Sequence, residues 1–326
     1  MRKAIGVVGL GLLGRGITAC LLERGFDVVA VVPTGAEHAA ALPIIEQLLG
    51  ELVEHGVAPQ DLLNQWRSRL IQVTNWEPLA DCGFVIESVN EDLALKQSVF
   101  EEIERVVTTD AVIASNTSAI PISILQQKRK HPQRFVGMHW AEPAHATRFL
   151  ELIRGESTSD ETMLRAEELG RRLGKDPTIC QKDVPGFIVN RIAYAMYREA
   201  LHLVETGVAD VETIDRSLRN TLGLWAASCG PFRWIDLTGG PTLYGLAMQQ
   251  VASGLRADKT PPEPLPQSLA ELVRQDARGI SSGHGFYEYT PEEAARWEDR
   301  QRRHAWLVKD WLDAEFPIES PVTPPD

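Results

Sequence analysis

Short apolar runs and stretches of helical periodicity alternate along the first half of the chain. Apolar runs at residues 4–8, 28–32, 84–86, 111–114, 135–138 and 149–153, with a shorter one at 178–180, predict buried strands. Helical spacing at residues 17–22, in two pieces over 36–70, at 93–107 and at 160–174 falls between them. This alternation predicts an α/β fold in which crossover helices connect the strands of a mostly parallel sheet.

The pattern changes after residue 183. From Phe187 onward, apolar residues recur at helical spacing, no further strand is predicted, and glycine and proline separate the periodic segments. We therefore predict two domains, with residues 1–183 forming the α/β domain and residues 184–326 forming an all-helical C-terminal domain. Charged residues interspersed with tryptophans predict a terminal helix at 291–316 that packs one face on the body.

Composition limits the class of partner. The chain has 326 residues, a formal net charge of −12 and four cysteines that stand singly. Lysine and arginine are dispersed among acids, which disfavours nucleic acid because counterion release requires clustered positive charge. No apolar run reaches the roughly 20 residues that span a bilayer, so we expect a cytoplasmic protein without a membrane segment. The cysteine spacing fits no metal site, and we expect a small-molecule partner and no metal.

A glycine motif follows the first predicted strand and opens the first predicted helix. Glycines in such a turn let the backbone approach a pyrophosphate, and the helix amino terminus directs free N–H groups at the anion. The competing interpretation is a glycine-rich turn that binds no ligand. In this context we predict a Rossmann-type dinucleotide-binding domain whose contacts include Gly9, Gly11, Leu12 and Gly14.

The second predicted strand lacks the acidic residue that usually follows it. That residue hydrogen-bonds the adenosine ribose of NAD, whereas this chain has Val32-Pro33-Thr34 at the strand end. No arginine follows that would hold the 2′-phosphate of NADP. Thr34 could bond a ribose hydroxyl, so we expect NAD as the cofactor and leave NADP open.

Two residues on consecutive predicted strands are candidates for proton transfer. His139 ends one strand, and Glu151 lies twelve positions later in the next. A carboxylate bonded to Nδ1–H of a histidine leaves Nε2 free to take a hydroxyl proton and stabilises the imidazolium. The competing interpretation is a structural histidine at a strand end.

Several motifs, in order, resemble those of the 3-hydroxyacyl-CoA dehydrogenase family. Beside the glycine motif and the Gly137-Met138-His139-Trp140 strand end, the resemblance rests on Glu87-Ser88-Val89-Asn90-Glu91, Ser115-Asn116-Thr117-Ser118 and Asp183-Val184-Pro185-Gly186-Phe187-Ile188-Val189-Asn190-Arg191. It implies an NAD-dependent dehydrogenase that works as a homodimer through its helical domain.

The resemblance also implies site residues. His139 would be the general acid/base, Glu151 its orienting carboxylate, and Ser118 and Asn190 the groups that position substrate oxygens. Cofactor contacts would further include Glu91, Lys96 and Asn116. From the residues alone, Lys96 also fits an exposed helix position and Ser118 a turn.

Departures from the family pattern bear on the substrate. The family usually has H-x-x-N-P after the catalytic histidine, but here Glu142 stands at the Asn position. No lysine occurs between residues 33 and 95, and Arg67 and Arg69 are the only Lys or Arg residues there. This acidic surface would repel the phosphates of CoA. We therefore expect a small hydroxy acid or alcohol, such as the carnitine, gulonate or pyridine carboxylate substrates known in this family.

Three alternatives remain open at this point. One is that the chain is an L-3-hydroxyacyl-CoA dehydrogenase after all. Another, suggested by the missing ribose carboxylate and by Glu142, is a non-catalytic nucleotide-binding or structural protein. Finally, Arg148 and His145, which lie between the candidate catalytic residues, either anchor a substrate carboxylate or are ordinary surface residues.

Overall fold

The computed structural model describes residues 4–227, 229–238, 243–244, 247, 267–277 and 280–317. Two compact units divide the chain. One reaches to Asn190 and also includes Phe316, and the other spans Arg191–Glu315. The predicted domain ranges, 1–183 and 184–326, remain a prediction.

The first unit contains one eight-stranded sheet, with strand order β3-β2-β1-β4-β5-β6-β7-β8. Neighbouring strands are parallel except β6 and β7, which are antiparallel. The strands are β1 Ile5–Val8, β2 Val28–Val31, β3 Leu70–Val73, β4 Phe84–Glu87, β5 Val112–Ser115, β6 Phe135–His139, β7 Phe149–Ile153 and β8 Asp176–Cys180. This confirms the predicted Rossmann-type, mostly parallel sheet.

Helices cover the sheet, and three of them begin at polar side-chain caps. They are α1 Leu12–Glu23, α2 Gly35–Glu54, α3 Leu62–Gln65, α4 Leu93–Val106, α5 Ile122–Leu125 and α6 Asp160–Arg172. Side-chain oxygens of Thr34, Asp92 and Ser159 accept backbone N–H groups at the first turns of α2, α4 and α6. Such caps satisfy N–H groups that have no partner within the helix.

The core lies between the helices and the central strands. All four residues of β1, β2, β4 and β5 are buried, because helices cover both faces of a parallel sheet. Phe100 of α4 and Phe135 of β6 meet edge to face, with ring centroids 5.3 Å apart. The three cysteines in this unit, Cys20, Cys82 and Cys180, are buried free thiols.

One strand departs from the sequence expectation. Residues 36–70 were predicted as a helical pair, but after α3 a 3₁₀ turn at Trp66–Arg69 leads into β3. β3 lies at the edge of the sheet and pairs only with β2. Its side chains are partly or fully exposed and include Gln72, so the segment lacks the continuous apolar run by which the buried strands were found.

The named elements of the second unit are all helices over its described residues, beside an isolated antiparallel bridge between His284 and Glu288. Its helices are α7 Val189–Glu205, which begins just before the division, α8 Val211–Asn220, α9 Leu222–Trp225, α10 Pro231–Thr238, α11 Gln267–Arg274 and α12 Pro291–Glu315. Trp306 is the one buried apolar side chain among the described residues of this unit. No helix in the described part of the chain is long and apolar enough to cross a membrane.

Candidate functional site

The register of β6 and β7 places a histidine opposite a glutamate. His139 pairs directly with Glu151 across the antiparallel ladder. Nδ1 of the imidazole lies 2.9 Å from Oε2 of the carboxylate, and the two residues are 5% and 1% exposed. Phe149 and Phe187 enclose the ring, with centroids 5.5 and 5.9 Å from that of the histidine. With Nδ1 protonated, the pair leaves Nε2 able to exchange a proton.

The other oxygen of Glu151 is held by backbone. Oε1 accepts N–H groups from Ile188 and Val189, each at 3.1 Å, at the amino terminus of α7. The positive end of a helix stabilises a carboxylate placed there. The chain reaches this position through Gly186 and Phe187, whose φ angles of 77° and 52° are both left-handed. Both oxygens of the carboxylate are therefore fixed, which sets the orientation of the imidazole.

Ser118 and Asn190 are neighbours in the structure. Nδ2 of Asn190 donates to the backbone carbonyl of Ser118 at 2.8 Å, although the two lie far apart in sequence. Among the described residues, neither shares a hydrogen bond with His139. Asn116 instead contacts the end of β6, since its Oδ1 accepts the backbone N–H of Trp140, the residue after His139, at 3.0 Å.

A buried ion-pair network supports the ends of β4 and β5. The Lys96 ammonium is fully buried and lies 2.8 Å from Glu87 and 3.3 Å from Glu91. Oε1 of Glu91 accepts the Thr117 hydroxyl at 2.6 Å and the Ser118 N–H at 2.9 Å. Partial burial raises the pKa of Glu91, but the Thr117 hydrogen bond and the Lys96 charge lower it more, so the net shift is downward.

This burial changes what Lys96 can do. A side chain with no accessible surface cannot touch a ligand in this conformation. It fits neither the expectation of a direct cofactor contact nor that of an exposed helix position. Nothing in the helical pattern around Lys96 indicated a buried charge, because its partners lie at the ends of neighbouring strands.

The glycine turn contains glycines of two kinds. Gly9 has a φ of 93°, and a Cβ there would lie 2.7 Å from the carbonyl oxygen of Ser88. A Cβ on Gly14 would collide with the carbonyl oxygen of Gly9, so the fold itself requires both glycines. A Cβ on Gly11 would meet nothing within 4 Å. Open space therefore adjoins the amino terminus of α1, where helix N–H groups suit an anion.

A cleft of about 700 Å³ opens beside this turn. Cofactor pockets commonly measure roughly 300–1,000 Å³. The cleft is lined by the turn, the end of β2, residues 88–90 and one face of α4. These surroundings fit NAD, with the pyrophosphate at Gly11 and the start of α1. Leu12 is 61% exposed at that start, and the Thr34 hydroxyl oxygen caps α2 by accepting the N–H of Glu37 at 3.2 Å.

The loop between β6 and β7 packs on the first two helices. His145 is buried and lies 2.8 Å from Glu51 of α2, and Arg148 is buried and lies 3.2 Å from Asp176. The expectation that these two residues anchor a substrate or are ordinary surface residues is therefore wrong, because both are buried and bonded to acidic residues of the protein. Partial burial raises the pKa of Glu142 in the same loop, which favours the neutral form of this carboxyl.

Two protein-family models match most of the chain. Residues 4–184 match the NAD-binding domain of 3-hydroxyacyl-CoA dehydrogenase, and residues 186–289 match its C-terminal domain. Both matches agree with the glycine turn and the helical second unit. They also identify the dinucleotide as NAD.

Individual relatives extend over nearly the whole chain. It is 34% identical to the 5-formyl-3-hydroxy-2-methylpyridine 4-carboxylate 5-dehydrogenase of Mesorhizobium japonicum, over 96% of this chain and 99% of the relative. Identity is 36% to a probable 3-hydroxybutyryl-CoA dehydrogenase of Deinococcus radiodurans, over 87% of this chain and 99% of that one. It is 32% to an L-carnitine dehydrogenase of Bacillus cereus, over 94% and 91%.

A solved structure of a related dehydrogenase has a similar fold over nearly the whole chain. A crystal structure of a 5-formyl-3-hydroxy-2-methylpyridine 4-carboxylic acid 5-dehydrogenase, described as an NAD⁺-dependent dismutase, superposes with a TM-score of 0.87 at 31% identity. The match covers 96% of this chain and 99% of that chain. The chain therefore belongs to the 3-hydroxyacyl-CoA dehydrogenase family and is an NAD-dependent oxidoreductase that transfers a hydride between a hydroxyl or carbonyl group and the nicotinamide.

Proposed function

We propose that the chain oxidises a hydroxyl group of a small substrate outside the CoA class, with His139 as the general base. The observation that carries this proposal is the buried pair of His139 and Glu151, joined at 2.9 Å. Nε2 of His139 takes the proton of the substrate hydroxyl while a hydride leaves the carbon that bears this hydroxyl, and a carbonyl group forms. Bound NAD⁺ would supply the hydride acceptor for this oxidation. Glu151 stabilises the resulting imidazolium through Nδ1–H.

We assign the remaining site residues by their contacts. Asn190 holds the backbone of Ser118, so the two form one element that positions the substrate oxygen. Asn116 follows the carboxyl end of β5 and Glu91 that of β4, and we assign both to the nicotinamide side, next to the cleft and outside its described lining. Lys96 is a positioning residue, because it acts through Glu91, which in turn holds the Ser118 N–H.

The preference for a small substrate follows from charge. The guanidinium of Arg67 lies 2.8 Å from Glu46 and stacks on Trp66, 4.6 Å from the ring centroid. The charge of Arg67 is thus paired with that of Glu46. Arg69 is the one other Lys or Arg between residues 33 and 95. The phosphates of a CoA thioester would meet a surface that repels them. Two relatives are named for a pyridine carboxylate and for carnitine.

A second candidate is an L-3-hydroxyacyl-CoA dehydrogenase. The 36% identity to a probable 3-hydroxybutyryl-CoA dehydrogenase supports it. Steady-state assays with NADH and acetoacetyl-CoA, and with NAD⁺ and free hydroxy acids or alcohols, separate the two. Efficient turnover of the thioester would refute the charge argument.

The catalytic assignment is tested by His139→Gln, with His131→Gln as the matched control. His131 is partly buried in the same unit, outside the site. We expect the first variant to bind NADH with unchanged affinity, to keep its melting temperature and to lose more than about 100-fold in kcat, as general acid–base catalysis contributes about 10²–10⁴. A His139→Gln variant with near-native kcat would contradict the proposal.

We also propose that the chain forms a homodimer through its helical domain. We further propose that the protein is located in the cytoplasm. α7 and α8 contain no buried residue, and Ile192, Tyr194 and Tyr197 are 61%, 62% and 51% exposed on α7. Exposed apolar side chains of this kind on α7 favour association with a second copy. Light scattering at the exit of a size-exclusion column should give twice the monomer mass, and Ile192→Glu should lower it. The four free thiols suit a reducing compartment, which cell fractionation tests.

A further inference from the structure

The strand end that normally carries the carboxylate that selects NAD has no carboxylate in this chain. Pro33 has no N–H group and an apolar side chain, and the Thr34 hydroxyl, whose oxygen accepts the Glu37 N–H as the cap of α2, offers a ribose only a neutral hydrogen bond. A carboxylate at this point accepts the adenosine ribose hydroxyls in other dinucleotide-binding domains. Some other group must perform that role here, or the chain does not distinguish NAD from NADP.

A carboxylate lies three residues further on, in the first turn of α2. Glu37 lines the cofactor cleft together with Pro33 and Ala40. Its backbone N–H donates to Thr34, so the cap that occupies the threonine also fixes the start of the turn that carries Glu37.

Glu37 differs from the other acidic residues of the cleft in having no basic partner among the described residues. Two other acids line the cleft, and both have an arginine partner: Glu101 lies 3.3 Å from Arg129, and Glu102 lies 2.9 Å from Arg105. Within the described residues, the carboxylate of Glu37 forms neither an ion pair nor a hydrogen bond. It is therefore available to a ligand.

The strand order places Glu37 at the adenosine end. His139 ends β6, which lies on the β4 and β5 side of β1. The nicotinamide must reach toward that side to exchange a hydride, so the adenosine half extends across β1 toward β2. Glu37 follows β2 and lies at this end of the cleft.

We propose that Glu37 replaces the missing strand-end carboxylate, accepting the adenosine ribose hydroxyls and excluding a 2′-phosphate. The positive end of α2 would otherwise attract that phosphate. The inference rests on the same cofactor cleft as the proposed function, and it makes Glu37 the residue that selects NAD(H) over NADP(H).

The cleft also provides a control residue. Arg15 is the one basic side chain among the described residues that line it, and its Nε donates to the Gly11 carbonyl at 3.1 Å. Its charge therefore lies at the glycine turn, where the pyrophosphate common to both cofactors would bind. Arg15→Gln should weaken NADH and NADPH binding by the same factor.

The experiment titrates NADH and NADPH by fluorescence into the full-length wild type, Glu37→Gln, Glu37→Ala and Arg15→Gln. Glu54→Gln, at the other end of α2, is the matched control for loss of one negative charge. Calorimetry with 5′-AMP and adenosine 2′,5′-bisphosphate tests the adenosine half alone, without the nicotinamide or turnover.

We expect wild type to bind NADH at least about tenfold more tightly than NADPH, and Glu37→Gln to reduce that ratio about tenfold by strengthening NADPH binding. Glu37→Ala should also weaken NADH about tenfold, because the ribose loses its charged acceptor. Equal changes for both cofactors, no change, or a wild-type preference for NADPH would overturn the assignment. All readouts are binding constants, so each of these outcomes leaves the dehydrogenase proposal standing, and an active His139→Gln variant would refute that proposal alone.

Discussion

Glu151→Gln tests whether the orientation of the imidazole determines catalysis. The native carboxylate accepts three hydrogen bonds, two from the amino terminus of α7 at 3.1 Å and one from His139 at 2.9 Å. In the variant, the amide oxygen must face the two backbone N–H groups, because an amide NH₂ there would oppose two donors. The NH₂ group then faces Nδ1 of His139.

The consequence for the imidazole follows directly. Nδ1 becomes an acceptor and the ring proton moves to Nε2, which can no longer accept the substrate proton. The lost charge-assisted bond accounts for about 1.5–3 kcal/mol, or roughly 10- to 150-fold in rate. The wrong tautomer adds to this, since the equivalent amide substitution in a Ser-His-Asp triad lowers kcat about 10⁴-fold. We therefore expect kcat to fall about 1,000-fold or more.

The assay compares kcat with fold stability and with cofactor affinity. NADH affinity should be unchanged, and the free energy of unfolding in urea should fall by only about 1 kcal/mol, because both backbone N–H groups keep an acceptor. Glu104→Gln is the control: Glu104 is 4% exposed, pairs with Arg134 and lies outside the site. It should lose stability and keep its kcat. A Glu151→Gln variant that retains a third of wild-type kcat would show that the pair is structural.

Three further predictions concern the glycine turn and the network beside it. Gly11→Ala should change the free energy of unfolding by less than about 1 kcal/mol and weaken NADH binding at least tenfold. Gly14→Ala should instead lower the urea midpoint strongly, because its Cβ meets backbone. A Gly11→Ala variant with native NADH affinity would place the pyrophosphate elsewhere. Lys96→Met should destabilise the protein by about 3–5 kcal/mol in urea melts, since it leaves a buried carboxylate without its cation, and a stability equal to wild type would contradict the network. The pKa of Glu91 is lowered in the folded state, so its ionised carboxylate stabilises the fold above the unfolded pKa, and this stabilisation is lost as pH falls through the folded pKa. Glu91→Gln should therefore be less stable than wild type at pH 7, with a difference in unfolding free energy that narrows below about pH 4. A difference independent of pH would refute this.

Local pattern was sufficient for the elements of the fold. Continuous apolar runs identified β1, β2 and β4 to β7, because a strand covered on both faces needs apolar side chains in sequence. The apolar pattern did not identify edge strand β3, because β3 has one strand neighbour and exposes much of its surface. The glycine turn was also recognisable from its spacing, and the collision that a Cβ on Gly14 would make with the Gly9 carbonyl is local to the turn. The collision at Gly9 is not local, because it involves Ser88 after β4.

The partners of charged side chains were decided by tertiary structure alone. Sequence spacing placed His139 and Glu151 on consecutive strands, but only the antiparallel register made them opposite neighbours, and only the arrival of α7 fixed the second carboxylate oxygen. The same holds for the burial of Lys96 and of His145. Periodicity records how each residue faces the core, whereas an ion pair between distant segments depends on which strand ends and helix termini the packed fold brings together.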